Sequence, residues 1–275
     1  MKPAPFEVCH PDVLRNATEM LETGGQGAKL ISGGQSLGPM MNLRLARPSQ
    51  LVDVSRLAEL RDVDERNESV LFGAATTHAE IEDGKTPDPI AGMMRQVARG
   101  IAYRVVRNKG TIGGSVAHAD PAADWISALT VADAKIHIAG KRSNRTVAMH
   151  DFVLGAYTTD LRPDEIITKI EVPKYSKNVR WGYYKICRKV GEFADAIGAT
   201  IVDPERRYCR VVAGAVGGKP LILVETARQL AQAAAMPVVE TIHDEIAASA
   251  TGLDAASRHQ LATAVGRAIT EVVGS

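Results

Sequence analysis

The sequence has little cysteine: Cys9, Cys187 and Cys209 stand alone among 275 residues, with no Cys-x-x-Cys pair. Such a set builds neither a disulfide framework nor an iron–sulfur cluster, so any cluster this protein works with must be held by another chain. The 7 histidines include no His-Glu-x-x-His or comparable ligand spacing, and no protein-bound metal is expected. No apolar run approaches the roughly 18 residues a membrane span requires. The start carries Pro3, Pro5, Glu7 and Cys9 where a secretory leader needs a hydrophobic stretch. A soluble, cytoplasmic protein is expected. Neither charge dominates: 33 Lys and Arg face 32 Asp and Glu, a net of +1 without a block of like sign. Nucleic acid and acidic membrane surfaces are therefore not expected partners.

What is present suffices for a sizeable core, with 45% apolar residues over a chain long enough for one large domain or two modest ones. In residues 10–23, Val13, Leu14, Ala17, Met20 and Leu21 form a helical stripe that Pro11 can open and Gly24-Gly25 can close. Strand runs at Ala28–Ile31 and Leu51–Val54 complete a small parallel strand and helix unit. A further strand over Ser69–Ala74 enters Thr77-His-Ala-Glu80, which has capping-box spacing. Ile90, Met93, Met94, Val97, Ala98 and Ile101 read as the core face of another helix. Asp120-Pro121 reads as an N-cap followed by proline at the first helical position, with Trp125, Leu129 and Ala132 on the buried side. Strand-like runs at Ala134–Ala139 and Ile166–Val172 suggest an antiparallel sheet. After a polar stretch at Pro173–Ser176, strands near Tyr183–Arg188, Ala194–Val202 and Cys209–Ala215 precede three alanine-rich helices.

Two glycine clusters stand out, Ser32-Gly33-Gly34-Gln35-Ser36 and Thr111-Ile112-Gly113-Gly114-Ser115. Glycine tolerates positive φ and lets backbone N–H groups approach an anionic oxygen, so both clusters read as phosphate cradles, and two would suit a pyrophosphate. The hydroxyls of Ser36, Thr111 and Ser115 add donors without charge. On this reading, a side chain at Gly33 or Gly113 would fill the space a phosphate needs. Paired glycines also make plain tight turns, and that alternative stands beside the first. Neither a P-loop nor a Gly-x-Gly-x-x-Gly motif occurs, which disfavours P-loop and Rossmann enzymes.

Four segments together resemble the FAD-binding medium subunits of molybdenum hydroxylases, relatives of carbon monoxide and xanthine dehydrogenases. They are Ser32-Gly-Gly-Gln-Ser-Leu37 followed by Asn42-Leu-Arg-Leu-Ala-Arg-Pro48, Gly73-Ala-Ala-Thr-Thr-His-Ala-Glu-Ile81, Arg107-Asn-Lys-Gly-Thr-Ile-Gly-Gly-Ser115, and Ala117-His-Ala-Asp-Pro-Ala-Ala-Asp124. The resemblance covers nearly the whole chain. It implies an α+β fold: a two-lobed FAD-binding domain over residues 1–174, with a small parallel α/β unit (about 1–55) and an antiparallel-sheet unit (56–174). A C-terminal domain over 175–275 follows, with a three-stranded sheet and a helical bundle.

By the same resemblance FAD is bound non-covalently by both glycine loops, Leu37, Thr77, Ile167 and Asp124. Lys185 is a cation beside the flavin, and Phe193 matches an aromatic near it. A solvated edge lysine and a core aromatic are the plain alternatives for these two. Asp120 is left as a helix cap, and His78 and His118 as structural donors rather than proton-transfer catalysts. No catalytic residue is expected in the chain itself. The implied partners are a large subunit with the molybdenum cofactor and a small subunit with two [2Fe-2S] clusters, in a dimer of heterotrimers, plus a terminal electron acceptor. Where the animal xanthine-oxidising branch carries a flavin-packing aromatic, this chain has Ile101, so stacking must come from elsewhere. A free-standing flavin oxidase and a non-catalytic nucleotide-binding module remain as rivals.

Overall fold

The computed structural model describes residues 2–141, 143–233 and 239–274. The chain opens with β1 (Glu7–Cys9), α1 (Leu14–Gly24), β2 (Ala28–Ile31), α2 (Leu37–Asn42) and β3 (Gln50–Asp53). The three strands form a parallel sheet in the order β1-β3-β2, as expected for the opening unit. α1 buries Ala17 and Leu21 against it, and Gly25 at φ +53 ends the helix as the glycine pair predicted.

The middle of the chain runs through α3 (Ala58–Arg61), β4 (Asp64–Glu65), β5 (Ser69–Gly73), α4 (His78–Glu82), α5 (Met93–Gly100), α6 (Arg104–Arg107), α7 (Ile112–His118) and α8 (Asp124–Val131). It closes with β6 (Lys135–Ala139), β7 (Asn144–Ala148), α9 (Met149–Phe152), β8 (Val153–Gly155), β9 (Thr158–Thr159) and β10 (Ile166–Pro173). β4, β5, β10, β6 and β7 form an antiparallel sheet in that order, with β10 between strands that precede it by many residues. The helices between β5 and β6 pack on this sheet around Phe72, Met93, Trp125 and Leu129, all buried.

β11 (Arg180–Ile186), β12 (Ala196–Asp203), β13 (Tyr208–Gly214) and β14 (Leu221–Ile222) make an antiparallel sheet, followed by α10 (Val224–Ala233), α11 (Val239–Ser249) and α12 (Ala255–Val273). The expected sheet of three strands has a fourth. β14 spans two residues, too few to show a periodicity. Two further readings change. The second glycine cluster is the first turn of a helix, with Thr111 as its N-cap, accepting from the Gly114 amide at 3.1 Å. Asp120 does not cap α8, which starts at Asp124 with Ala123 before it and no side-chain cap. Its carboxylate instead accepts from the Ala122 amide at 3.0 Å and the Tyr157 hydroxyl at 3.3 Å, a local turn rather than a helix start.

The largest apolar core runs through the antiparallel unit into the C-terminal sheet, where Tyr183, Ile197, Ala199, Ile201 and Val212 join Phe72, Trp125 and Ile170. On its other face that sheet carries α12, whose backbone lies so close that a Cβ at Gly182 would collide with the Ala268 carbonyl and one at Gly198 with that of Ala264. Gly198→Ala should therefore cost about 1–3 kcal/mol of stability through overpacking. Urea unfolding should read this as a lower midpoint with an unchanged slope; an unshifted midpoint would show that α12 moves aside freely.

Candidate functional site

The first glycine loop leaves β2 at Ser32. Gly34 lies at φ +68, a conformation that favours glycine, and its carbonyl accepts from the Gly38 amide at 3.0 Å. The reversal leaves the amides of Gly33, Gly34, Gln35, Ser36 and Leu37 without a protein acceptor among the described residues. The Ser32 hydroxyl oxygen is buried and likewise lacks a partner. A run of open amides next to an unsatisfied buried hydroxyl suits a phosphate oxygen, because donors left unpaired are costly unless a ligand or water takes them.

The second cluster is built differently. Its amides are already spent: Ile112 donates to Thr76 O at 3.0 Å, Gly113 to Ala74 O at 2.9 Å, Gly114 to the Thr111 hydroxyl and Ser115 to Thr111 O at 3.0 Å. Ile112 and Gly113 are buried, and a Cβ on Gly113 would sit 2.6 Å from the Ala74 carbonyl. A Cβ on Gly33 would strike the Lys109 carbonyl. Within the protein itself, both glycines are required for the close backbone approach. What the second loop leaves open is the exposed edge of Gly114 and the half-buried Ser115, while the Thr111 hydroxyl is buried as the cap.

The two loops are held against one another. Gly33 abuts Lys109–Gly110, and the Gly110 carbonyl accepts from the His78 amide at 2.9 Å. Thr77 bridges to Thr111, and its side chain and that of Glu80 complete the capping box at α4. Arg107, half-buried beside Glu82, donates to that carboxylate at 2.7 and 3.1 Å and to the carbonyls of Ile101 and Ala102 at 2.9 Å. Arg104 adds bonds to Glu82 and Asp83 at 2.9 and 2.6 Å, so the segment entering the second loop is clamped to α4. The arginines hold the Glu82 carboxyl below its ordinary range.

Behind the loops, Trp125 donates its indole N–H to His78 Nδ1 at 3.0 Å. His78 is therefore a buried acceptor at Nδ1, which leaves the N–H of the neutral ring on Nε2, and burial lowers its pKa from 6.5 to about 4. His118 packs its ring on Tyr157 with centroids 5.2 Å apart.

At the far side of the cluster, Asp124 is buried at the start of α8. Its carboxylate accepts from Lys185 Nζ at 3.0 Å and from the Tyr183 hydroxyl at 2.9 Å. Lys185 also donates to Gly100 O at 2.8 Å. Burial raises the Asp124 pKa, an effect opposed by the Lys185 ammonium and the hydrogen bonds. The lysine is thus a half-buried, ion-paired group, not a solvated edge residue, and an ammonium has a third hydrogen to offer. Tyr183 escaped the sequence reading, although its spacing of two from Lys185 on one strand places both side chains on one face.

The remaining positions divide. Ile167 lies in the core on β10. Phe193 is 66% exposed and so is not the core aromatic of the alternative reading. Its loop is pinned to the segment after α5 by an Ile101–Gly191 bridge and by Lys189 over the Tyr103 ring at 5.7 Å. The described residues contain no group of three or more side chains suited to a metal and no helix long and apolar enough to cross a membrane.

A parallel unit and an antiparallel unit joined at paired glycine loops, with open amides at one end and a buried ammonium at the other, define a protein that clasps a dinucleotide. The dinucleotide is FAD: residues 4–175 match the family described as the FAD binding domain in molybdopterin dehydrogenase, and the chain belongs to that family of oxidoreductase components. It is 36% identical over 202 residues to the carbon monoxide dehydrogenase medium chain of Hydrogenophaga pseudoflava, covering 74% of this chain and 70% of that one. It is 32% identical over 220 residues to the 6-hydroxypseudooxynicotine dehydrogenase complex subunit alpha of Paenarthrobacter nicotinovorans, covering 79% and 74%. Among solved structures, carbon monoxide dehydrogenase from Hydrogenophaga pseudoflava superposes with a TM-score of 0.91 at 29% identity, over 100% of this chain and 99% of the other.

The neutral buried histidine gives a pH dependence with a definite sign. Above pH 6.5 neither folded nor unfolded His78 binds a proton; between 6.5 and about 4 the unfolded chain takes one up and the folded chain does not. Stability should then fall with falling pH by about 1.4 kcal/mol per unit, roughly 3 kcal/mol in all. His78→Asn should flatten the part of this slope above pH 5, where few carboxylates titrate. Denaturant unfolding followed by tryptophan fluorescence reads both chains, and equal slopes would rule out His78 as the source.

Proposed function

We propose that this chain is the flavin relay of a cytoplasmic molybdenum hydroxylase. It holds FAD between two [2Fe-2S] clusters of a small subunit, which are fed from a molybdenum cofactor in a large subunit, and a terminal acceptor. The complex would be a dimer of heterotrimers. The observation that carries the reading is the pairing, on one scaffold, of the open amides at 33–37 with the buried Lys185–Asp124 pair. Names of relatives such as "medium chain" support a place in a larger complex. The matched span ending at residue 175 supports a division near 174, with 1–174 as the cofactor domain and 175–275 contributing Lys185 and Phe193.

In this reading the residues that hold FAD are Ser32 to Leu37, Thr77, Thr111 to Ser115, Asp124, Ile167, Lys185 and Phe193. Bound FAD supplies one- and two-electron redox chemistry that no amino-acid side chain here provides. The chain's own part is local. The amides of 33–37 take an anionic phosphate, the Thr111 and Ser115 hydroxyls add neutral donors, and the Lys185 ammonium offers positive charge where a reduced ring gains negative charge. Asp124 and Tyr183 fix that ammonium in place. No residue of the chain is assigned as an acid or base.

Two measurements test the assignment. Acid precipitation should release all the flavin as FAD; colour retained on the precipitate, or FMN in the supernatant, would refute a non-covalent dinucleotide clasp. In rapid mixing, substrate should bleach the iron–sulfur absorbance of a deflavinated complex while transfer to the acceptor stops. Clusters that stay oxidised with molybdenum and all subunits intact would end the relay reading.

A further inference from the structure

The two oxygens of the Asp124 carboxylate are given out singly. Oδ1 accepts from the Tyr183 hydroxyl at 2.9 Å, and Oδ2 accepts from Lys185 Nζ at 3.0 Å. Lys185 sends a second hydrogen to the Gly100 carbonyl at 2.8 Å, and the third hydrogen of its ammonium has no acceptor among the described residues.

The strand imposes this sharing. Tyr183 and Lys185 stand two apart on β11, so both side chains leave the same face. Tyr184 between them lies on the opposite face, with the Arg267 guanidinium 5.8 Å over its ring. Tyr183 is buried, and burial together with the Asp124 carboxylate pushes its phenol well above the ordinary tyrosine range. The hydroxyl therefore keeps its proton and acts as a fixed donor. A carboxylate as buried as that of Asp124 needs its oxygens satisfied from within the protein. Without the Tyr183 hydroxyl, Oδ1 would lose that donor, and the replacement at hand is the third hydrogen of the ammonium already bound to Oδ2.

We propose that Tyr183 is a positioning residue: by occupying Oδ1 it reserves the third ammonium hydrogen of Lys185 for the redox ring of FAD. The inference rests on the reading that places Lys185 beside that ring. A ring that takes up two electrons and one proton gains one negative charge, so an ammonium hydrogen left free favours the reduced form over the oxidised one. A hydrogen spent on Asp124 does not.

Titration of the full chain with FAD, combined with the reduction potential of the bound flavin, reads the effect directly, because that potential departs from the value of free FAD by the ratio of the affinities for the two forms. Tyr183→Phe should lower the preference for reduced over oxidised FAD about tenfold, equal to about 30 mV for a two-electron couple, and Lys185→Met should lower it at least as far. In the double variant the two changes should not add, since Tyr183 acts through Lys185. Tyr184→Phe, on the opposite face, should leave the preference at its wild-type value. A fluorinated tyrosine at position 183 keeps the shape of the side chain and strengthens the donor; it should raise the preference, and it reads the same bond where Tyr183→Phe folds poorly. A hydroxyl with only a structural role would weaken binding of both forms alike. An unchanged ratio on either replacement therefore overturns the proposal, as does additivity in the double variant. A wild-type ratio in Lys185→Met would instead remove the lysine from the ring, and with it the reading on which the inference stands, an outcome distinct from an effect at Lys185 with none at Tyr183.

Discussion

A carboxylate placed where Asp124 lies cannot remain charged without compensation, and the compensation comes from a strand sixty or so positions further along. Desolvating a lone carboxylate costs several kcal/mol, so Asp124 is tolerable only with the Lys185 ammonium and Tyr183 hydroxyl against it. This requirement ties the first turn of α8 to β11, and with it the FAD-binding unit to the C-terminal sheet. The same pair fixes the ammonium in place, since Lys185 is also held by the Gly100 carbonyl. One buried charge thus ties α8 to β11.

The glycines serve a related purpose by different means. Gly33 and Gly113 let two backbones meet, the first loop on Lys109–Gly110 and the second on the end of β5 at Ala74. The Arg107–Glu82 pair holds the intervening segment from the opposite side. Because the second loop spends its amides on these contacts, the open donors are concentrated in the first loop. The clasp is therefore asymmetric, with one loop free to receive an anion and the other committed to keeping the first in position.

Much of this was legible where the determinants are local. The stripe of α1, the glycine pair closing it and the Thr77–Glu80 capping box are each specified within about a turn or two of helix, and they appear as read except at the start of α1, where Val13 is an exposed N-cap and Pro11 lies outside the helix. The glycine clusters stood out by composition, and both lie where two backbones meet closely. Asp120-Pro121 misled because a local Asx turn and a helix cap draw on the same residue types. The β14 strand, the Tyr183–Asp124 bond and the contact of Gly33 with Lys109 were not legible at all. Each depends on residues brought together from distant positions, or on a strand too short to show a pattern.

The order of the strands has a consequence for how the protein is made. β10 pairs with both β5 and β6, so the hydrogen-bonded register of the central sheet stays open until Ile166–Pro173 has emerged from the ribosome. The glycine helix, the arginine clamp and Asp124 all lie inside the loop that this pairing closes, and the ion pair waits for β11 as well. Completion of this unit is accordingly a late event in the life of the nascent chain: until Lys185 is synthesised, Asp124 has no cation to match it.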